Sequence, residues 1–311
     1  MTRAVVFAYH NVGVRCVKVL LAHGVDVALI VTHTDNPAET IWFDSVADTA
    51  AAYGIPSVSP IDPNTKELET RIAALSPDFL FSFYYRSMLK RALLSAAARG
   101  ALNMHGSLLP RYRGRAPVNW AVLHGERETG ATLHYMTAKP DDGDIVAQTA
   151  VPILPDDTAR EVFDKVTLAA EMTLDRVLPA LTEGTAPRVR QDLAQGGYFG
   201  GRSPADGTID WNRDATTIHN LVRAVAPPYP GAFTALGGVA ARILRARVAD
   251  TATPPTLTPT LEARNGRLVA HCGGGGTLQV LALEVGGDSM TPDACVARFG
   301  AAPTVLGGAQ R

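Results

Sequence analysis

The sequence predicts an α/β chain: a mostly parallel, Rossmann-like open sheet followed by a smaller C-terminal β-rich, barrel-like (OB-like) domain. Three observations carry this. Short apolar, β-branched runs without in/out alternation recur between helix-spaced stretches in the first third of the chain, as in strands buried on both faces of a parallel sheet. Beyond about residue 205 the chain becomes glycine-rich and strand-like, with turn signals between short runs. The 311 residues are 46% hydrophobic, enough to fill two cores.

Taken in order, Ala4 to Tyr9 reads as the first strand, Val14 to Ala22 as a helix and Val25 to Thr32 as the second strand. Ile41 to Tyr53 reads as a helix closed by Gly54. Asp78 to Tyr84 is a strand, Leu89 to Ala98 a helix ending before Gly100, and Ala101 to His105 a short strand. Gly130 to Ala138 and Asp144 to Ile153 are extended runs joined by a Pro-Asp-Asp-Gly turn. A long helix follows from Thr158 to Leu181, with Thr158 and Glu161 as a capping box and Pro179 positioned to end or kink it. Thr216 to Ala226 is one more helix. Gly231 to Leu236, Val239 to Ala249, Arg267 to His271 and Thr277 to Glu284 are strands of the second domain. Three prolines keep Ala252 to Thr260 out of regular structure. The expected domains are 1–204, carrying the chemistry, and 205–311, the β-rich part.

Composition narrows the function. Lys+Arg 29 against Asp+Glu 30 gives a net charge of -1, which excludes a generally basic nucleic-acid coat. The three cysteines, Cys16, Cys272 and Cys295, form no C-x-x-C pair, so neither a disulfide framework nor a structural zinc site is indicated. No leader-like N-terminus and no membrane-length apolar run occur, so a soluble, cytoplasmic protein is expected. The turn after the first strand, Tyr9-His10-Asn11-Val12-Gly13, holds one glycine. That disfavours a G-x-G-x-x-G dinucleotide site, and no phosphate-binding P-loop is present.

The segment Asn103 to Arg115, N-M-H-G-S-L-L-P-R-Y-R-G-R, carries the chemistry. Asn103 and His105 stand two apart at the end of a strand, so both face the same way. The carboxyl edge of an open parallel sheet is where such proteins place their sites. Gly106 allows a close approach to the backbone.

This segment, continued by A-P-V-N-W, resembles the signature of the 10-formyltetrahydrofolate-dependent formyltransferases. That family uses an Asn, a His and a distant Asp that follows a G-x-T-x-H strand. Here Gly130-Ala131-Thr132-Leu133-His134 precedes Pro140-Asp141-Asp142-Gly143-Asp144, and Asp141 matches the family's aspartate. Residue spacing alone leaves Asp142 and Asp144 open as substitutes. His134 reads equally as a lining residue or a buried structural one. F-A-Y-H, T-H-T-D-N-P, F-S-F-Y-Y-R, H-N-L-V-R-A-V and P-Y-P-G-A-F extend the resemblance to one subgroup. Its members formylate UDP-4-amino-4-deoxy-L-arabinose in lipid A (lipopolysaccharide) modification, as one half of a bifunctional enzyme. The chain ends at Arg311 with no decarboxylase half, so a free-standing transferase is expected.

The resemblance implies direct attack of a sugar amine on the formyl carbon. Asn103 and His105 would stabilise the oxyanion, and Asp141 would orient His105 and favour its imidazolium form. It also implies contacts to the 10-formyltetrahydrofolate co-substrate from Ser87, Met88, Leu89, Arg115 and the loop Thr137, Ala138, Lys139, Pro140 and Asp141, with no metal. Partners would be a nucleotide sugar and further copies of the chain as a homo-oligomer, with neither nucleic acid nor a membrane. Arg111, Arg113 and Arg115 alternate at period two and are candidates for an anionic group. Tyr84, Tyr85, Trp120 and Trp211 read mainly as core residues.

Four alternatives stand beside this, the last of them a non-catalytic binding module, which the joint presence of Asn103, His105 and Asp141 disfavours. Methionyl-tRNA formyltransferase shares the chemistry, but no Lys or Arg occurs from Val19 to Thr65. A dTDP-linked amino-deoxyhexose could replace the UDP sugar. A folate hydrolase releasing formate would share the same three residues.

Overall fold

The computed structural model describes residues 1–307. It forms two compact units. The first contains Met1–Pro117, Glu128–Pro152 and Phe163–Gly200, and the second Val118–Arg127, Ile153–Val162 and the chain from Gly201 onward.

Up to Phe199 the elements run β1 (Arg3–Ala8), α1 (His10–Ala22), β2 (Asp26–Val31), α2 (Val46–Ala52), β3 (Ser57–Val58), α3 (Lys66–Leu75), β4 (Phe79–Phe83), α4 (Arg91–Leu94), β5 (Gly100–His105), β6 (Arg113–Gly114), α5 (Pro117–Leu123), β7 (Glu128–Tyr135), β8 (Ile145–Pro152), α6 (Ala159–Glu183) and β9 (Tyr198–Phe199). The main sheet has the order β3-β2-β1-β4-β5-β7-β8. Its first five strands are parallel, and β7 and β8 are antiparallel. Beyond Arg3, every residue of β1 is buried, which explains the unalternating apolar run. Strand order reverses between β1 and β4, so the crevice at their carboxyl ends is the expected binding edge, with β5 beside it. One sheet face packs Val5, Phe7, Leu29 and Leu80 against Leu68 and Ile72 of α3 and against Leu89 and Leu93.

Two expected helices are shorter than the sequence pattern suggests. The 41–53 helix starts only at Val46, where the Ser45 side chain accepts from the Asp48 amide. Trp42 and Phe43 leave the helix because they pack on the ring of His10, at centroid distances of 4.4 and 3.9 Å. The 89–98 helix is one turn, Arg91–Leu94. Asn64 holds the chain before it, accepting from Lys90 N and donating to Met88 O. After it, Ala98 N donates to Pro77 O and Arg99 N to Asp78 O, which draws the chain into the start of β5. Conversely, Pro179 neither ends nor breaks α6, which continues to Glu183. Buried Val166, Ala170, Leu174, Leu178 and Leu181 give the helix a continuous apolar stripe that offsets the hydrogen bond a proline removes. Its capping box forms as the sequence predicts: Thr158 N donates to Glu161 Oε2 at 2.7 Å, and Glu161 N to Thr158 Oγ1 at 3.3 Å.

The second unit contains α7 (Ala215–Ala224), β10 (Ala232–Leu236), β11 (Val239–Asp250), β12 (Thr260–Arg264), β13 (Arg267–His271), β14 (Thr277–Val285), β15 (Asp288–Ser289), α8 (Pro292–Phe299) and β16 (Thr304–Val305). The antiparallel order is β10-β11-β14-β13-β12-β16, with β15 on β14. A bridge between Leu236 and Leu306 brings the ends together, so the sheet is a nearly closed barrel. Trp211 lies in its core, with the indole N–H donating to Thr234 Oγ1 at 2.8 Å. That is the packing role its sequence context suggests. Among the described residues, no helix is long and apolar enough to cross a membrane.

Candidate active site

The site is built on the end of β5. Asn103 and His105 point to the same face, and β7 runs alongside with His134 opposite Asn103. Gly106 follows immediately. A Cβ there would lie 1.8 Å from the Tyr84 hydroxyl, so the close approach predicted at this glycine is that of Tyr84. Beyond it, the chain passes through Tyr112 to β6, which pairs in parallel with β9.

Asp141 joins the group from the turn after β7, with a left-handed backbone at φ 54°. One carboxylate oxygen lies 3.6 Å from His105 Nδ1 and 3.6 Å from His134 Nε2, and the side chain is 12% exposed. These are ion-pair rather than hydrogen-bond distances. The other oxygen accepts from Gly114 N at 2.8 Å. Burial opposes ionisation of Asp141. The two histidines and the Gly114 amide outweigh it and hold the carboxyl well below the ordinary carboxylate range.

The neighbouring acids are accounted for separately. Asp142 accepts from the Thr137 hydroxyl, and Asp144 faces Arg188 at 3.8 Å. Of these three carboxylates, Asp141 is the one paired with the histidines.

The backbone fixes both imidazoles. A carbonyl only accepts, so His105 Nε2, 2.9 Å from Tyr112 O, is a donor, and Nδ1 turns toward Asp141. His134 Nδ1 donates to Tyr135 O at 2.9 Å. Its Nε2 faces both the Asn103 amide nitrogen at 3.1 Å and Asp141. Unprotonated, this nitrogen accepts from Asn103. Protonated, it points a donor at the carboxylate. His134 is therefore the residue that residue pattern alone left undecided, and it touches both Asn103 and Asp141. Its position opposite Asn103 in register is the signal that identifies it.

The other positions singled out by resemblance are distributed as follows. Ser87 is half-buried, Met88 is exposed, and the Leu89 side chain is buried in the core beside β1 and β4. Thr137, Ala138 and Lys139 are exposed and Pro140 is half-buried. A cleft of about 1230 Å³ is lined by Thr137, Ala138 and Lys139, with Leu94, Ala101 and Met136 as apolar lining. Its lining includes none of Asn103, His105, Asp141 or Ser87 to Leu89, and it meets the site along Tyr135 to Lys139, Asp142 to Asp144 and Gln191. Arg115 is exposed, whereas Arg111 pairs with Glu128 and Arg113 donates to Leu193 O and Gly196 O. Two of the three alternating arginines are thus engaged by the protein itself.

Comparison with known proteins fits this geometry. The formyl transferase family model matches residues 14–178, and the formyl transferase C-terminal domain model matches 202–300. Among solved structures, the chain is similar to the N-formyltransferase of Helicobacter canadensis, crystallised with folinic acid and dTDP-3-aminofucose. The identity is 19% and the TM-score 0.71, over 90% of this chain and 99% of that one. It is also similar to a 4-N formyltransferase from Francisella tularensis, at 18% identity and TM-score 0.60 over 75% and 91%. Glycinamide ribonucleotide transformylase 1 from Symbiobacterium toebii matches at 23% identity and TM-score 0.52, over 59% and 89%. At these identities the likeness is one of fold.

Proposed function

The chain belongs to the formyl transferase family, and we propose that it transfers a formyl group from 10-formyltetrahydrofolate to the amine of a nucleotide-linked amino sugar. The sugar nucleotide we favour is UDP-4-amino-4-deoxy-L-arabinose. One observation carries the reading: the Asp141 carboxyl group sits between His105 and His134, with Asn103 bound to the latter. Residues 1–204 would carry the chemistry and 205–311 the β-rich domain. The three cysteines are buried and free, which fits the reducing cytoplasm.

In this reading, the sugar amine attacks the formyl carbon and negative charge builds on the formyl oxygen. The Asn103 amide donates one hydrogen to that oxygen while His134 fixes its orientation. A single preorganised donor of this kind is worth about 3–4 kcal/mol of barrier. His105, as imidazolium with Asp141 as counter-charge, supplies a second donor, gives its proton to the departing nitrogen as the C–N bond breaks, and is restored by the proton that the attacking amine loses. Its Nε2 is held by Tyr112 O, so donation to the substrate requires the ring to exchange that carbonyl for the formyl group. No protein nucleophile is needed.

The surroundings suit a flat, polar-edged pterin. The exposed Thr137 to Lys139 loop offers main-chain groups beside an apolar lining, within a cleft of adequate volume. The Ser87 to Leu89 segment is pinned by Asn64, which grips both sides of Leu89. Asn64→Ala removes two hydrogen bonds that position this segment. It is expected to raise KM for 10-formyltetrahydrofolate about 10-fold, with kcat changed less than about 2-fold, in steady-state assays.

Substrate choice is tested by comparing kcat/KM for the UDP sugar, a dTDP-linked amino-deoxyhexose and methionyl-tRNA. Preference for the UDP sugar supports the reading, and preference for tRNA overturns it. The Val19 to Thr65 stretch without cations argues against tRNA. Within it, Asp35 accepts from Tyr9 and Glu39 pairs with Arg86.

A further inference from the structure

Residues 189–199 lie between the spans matched by the two family models, yet they are sewn into the candidate site. Val189 and Ile145 exchange both backbone hydrogen bonds, at 2.8 and 2.9 Å. Two residues later, the Gln191 side-chain amide donates to Asp141 O at 3.0 Å and to Gly143 O at 2.6 Å. One amide nitrogen has two hydrogens, so each carbonyl receives one. Further on, Gly196 packs so closely on Pro110 that a Cβ would lie 1.9 Å from its carbonyl oxygen. Arg113 N then donates to Gly197 O and Arg115 N to Phe199 O, at 3.0 and 2.9 Å. The Phe199 ring stacks on Tyr112, whose carbonyl holds His105. At Gly114, which donates to Asp141, a Cβ would lie 2.1 Å from Phe199 O.

We propose that the connector 189–199 is a strap that positions the catalytic groups, with Gln191 as the positioning residue for Asp141. The proposal rests on the catalytic reading of Asp141 given above. The Asp141 backbone is left-handed, a conformation Asp tolerates in a turn at a cost that bracing contacts offset. Gln191 braces the carbonyls on both sides of Asp142. The residue is 8% exposed, and among the described residues its Oε1 atom finds no hydrogen-bond partner. Its donations to the loop are therefore its polar contacts here. A lone glutamine in a connector carries no motif, which is why residue pattern does not reveal it.

A double-mutant cycle on the full-length protein tests this. Gln191→Met keeps chain length and removes both donors. We expect it to lower kcat about 100-fold with KM for both substrates little changed, the effect of misplacing a catalytic group by about 1 Å. In the Asp141→Asn background the same substitution should cost less than about 3-fold, because the residue through which it acts is already disabled. Equal losses in both backgrounds would show a merely structural role and overturn the proposal. Should Gln191→Met fail to fold, Gln191→Asn, which withdraws the amide by one carbon, is carried through the same cycle. If the wild type formylates no amine, the catalytic reading fails, but the positioning can still be read. The 15N ring signals of His105 and His134 should differ between Gln191→Met and wild type, and unchanged signals would overturn it.

Discussion

Replacing His105 by alanine is expected to lower kcat for formyl transfer about 1000-fold. His105, the last residue of β5, faces the Asp141 carboxyl through Nδ1 and donates from Nε2. General acid–base participation is worth about 100- to 10,000-fold, and the loss of a charged donor to the oxyanion falls in the same range. The fold should survive. The substitution removes one of the donors to Tyr112 O, which the Ser107 hydroxyl also reaches at 3.4 Å, at a cost of about 1 kcal/mol that thermal melting would detect. A kcat within about 3-fold of wild type would remove His105 from the mechanism.

The second large effect concerns Asp141→Asn. The shape is kept, and an amide oxygen can still accept from Gly114 N. The negative charge facing the two histidines is lost. We expect kcat to fall about 100- to 1000-fold and the pH–rate profile to change shape. Stability should respond with a definite sign. The folded-state carboxyl titrates below its unfolded value, so its contribution is fully present above about pH 4–5 and is lost as pH falls through the folded value. Urea midpoints of wild type and variant should therefore differ at neutral pH and converge in acid. A gap that fails to close in acid would contradict the assignment of Asp141 as an ionised, paired carboxylate.

Much of this site is legible in the sequence, for physical reasons that differ by residue. Asn103 and His105 follow from period-two geometry at a strand end. Asp141 does not follow from spacing, because Asp142 and Asp144 share its turn. Only the contacts to Thr137 and Arg188 separate them. His134 looks like any buried histidine until strand register sets it beside Asn103. Gln191 stays invisible, since its role lies in two backbone carbonyls 48 and 50 residues away in sequence.

For the fold, the buried strands are plain because both faces are covered, whereas the helix ends depend on tertiary contacts. Trp42 and Phe43 prefer the His10 ring to another helical turn, and the Asn64 clamp delays α4. Helix α3 lies where the apolar pattern assigns no element, although its Thr65 cap accepts from Leu68 N and Leu68 and Ile72 are spaced one turn apart. Its mostly charged exposed side hides that two-residue stripe.

We propose that this protein places a formyl group on the amine of a UDP-linked amino sugar. The most direct measurement is mass analysis of UDP-linked amino sugars after incubation with the protein and 10-formyltetrahydrofolate. A product heavier by one formyl group is expected, carried on the amine, with tetrahydrofolate released in equal amount. Formate release without amine consumption, or no mass gain on any UDP-linked amino sugar, would contradict it.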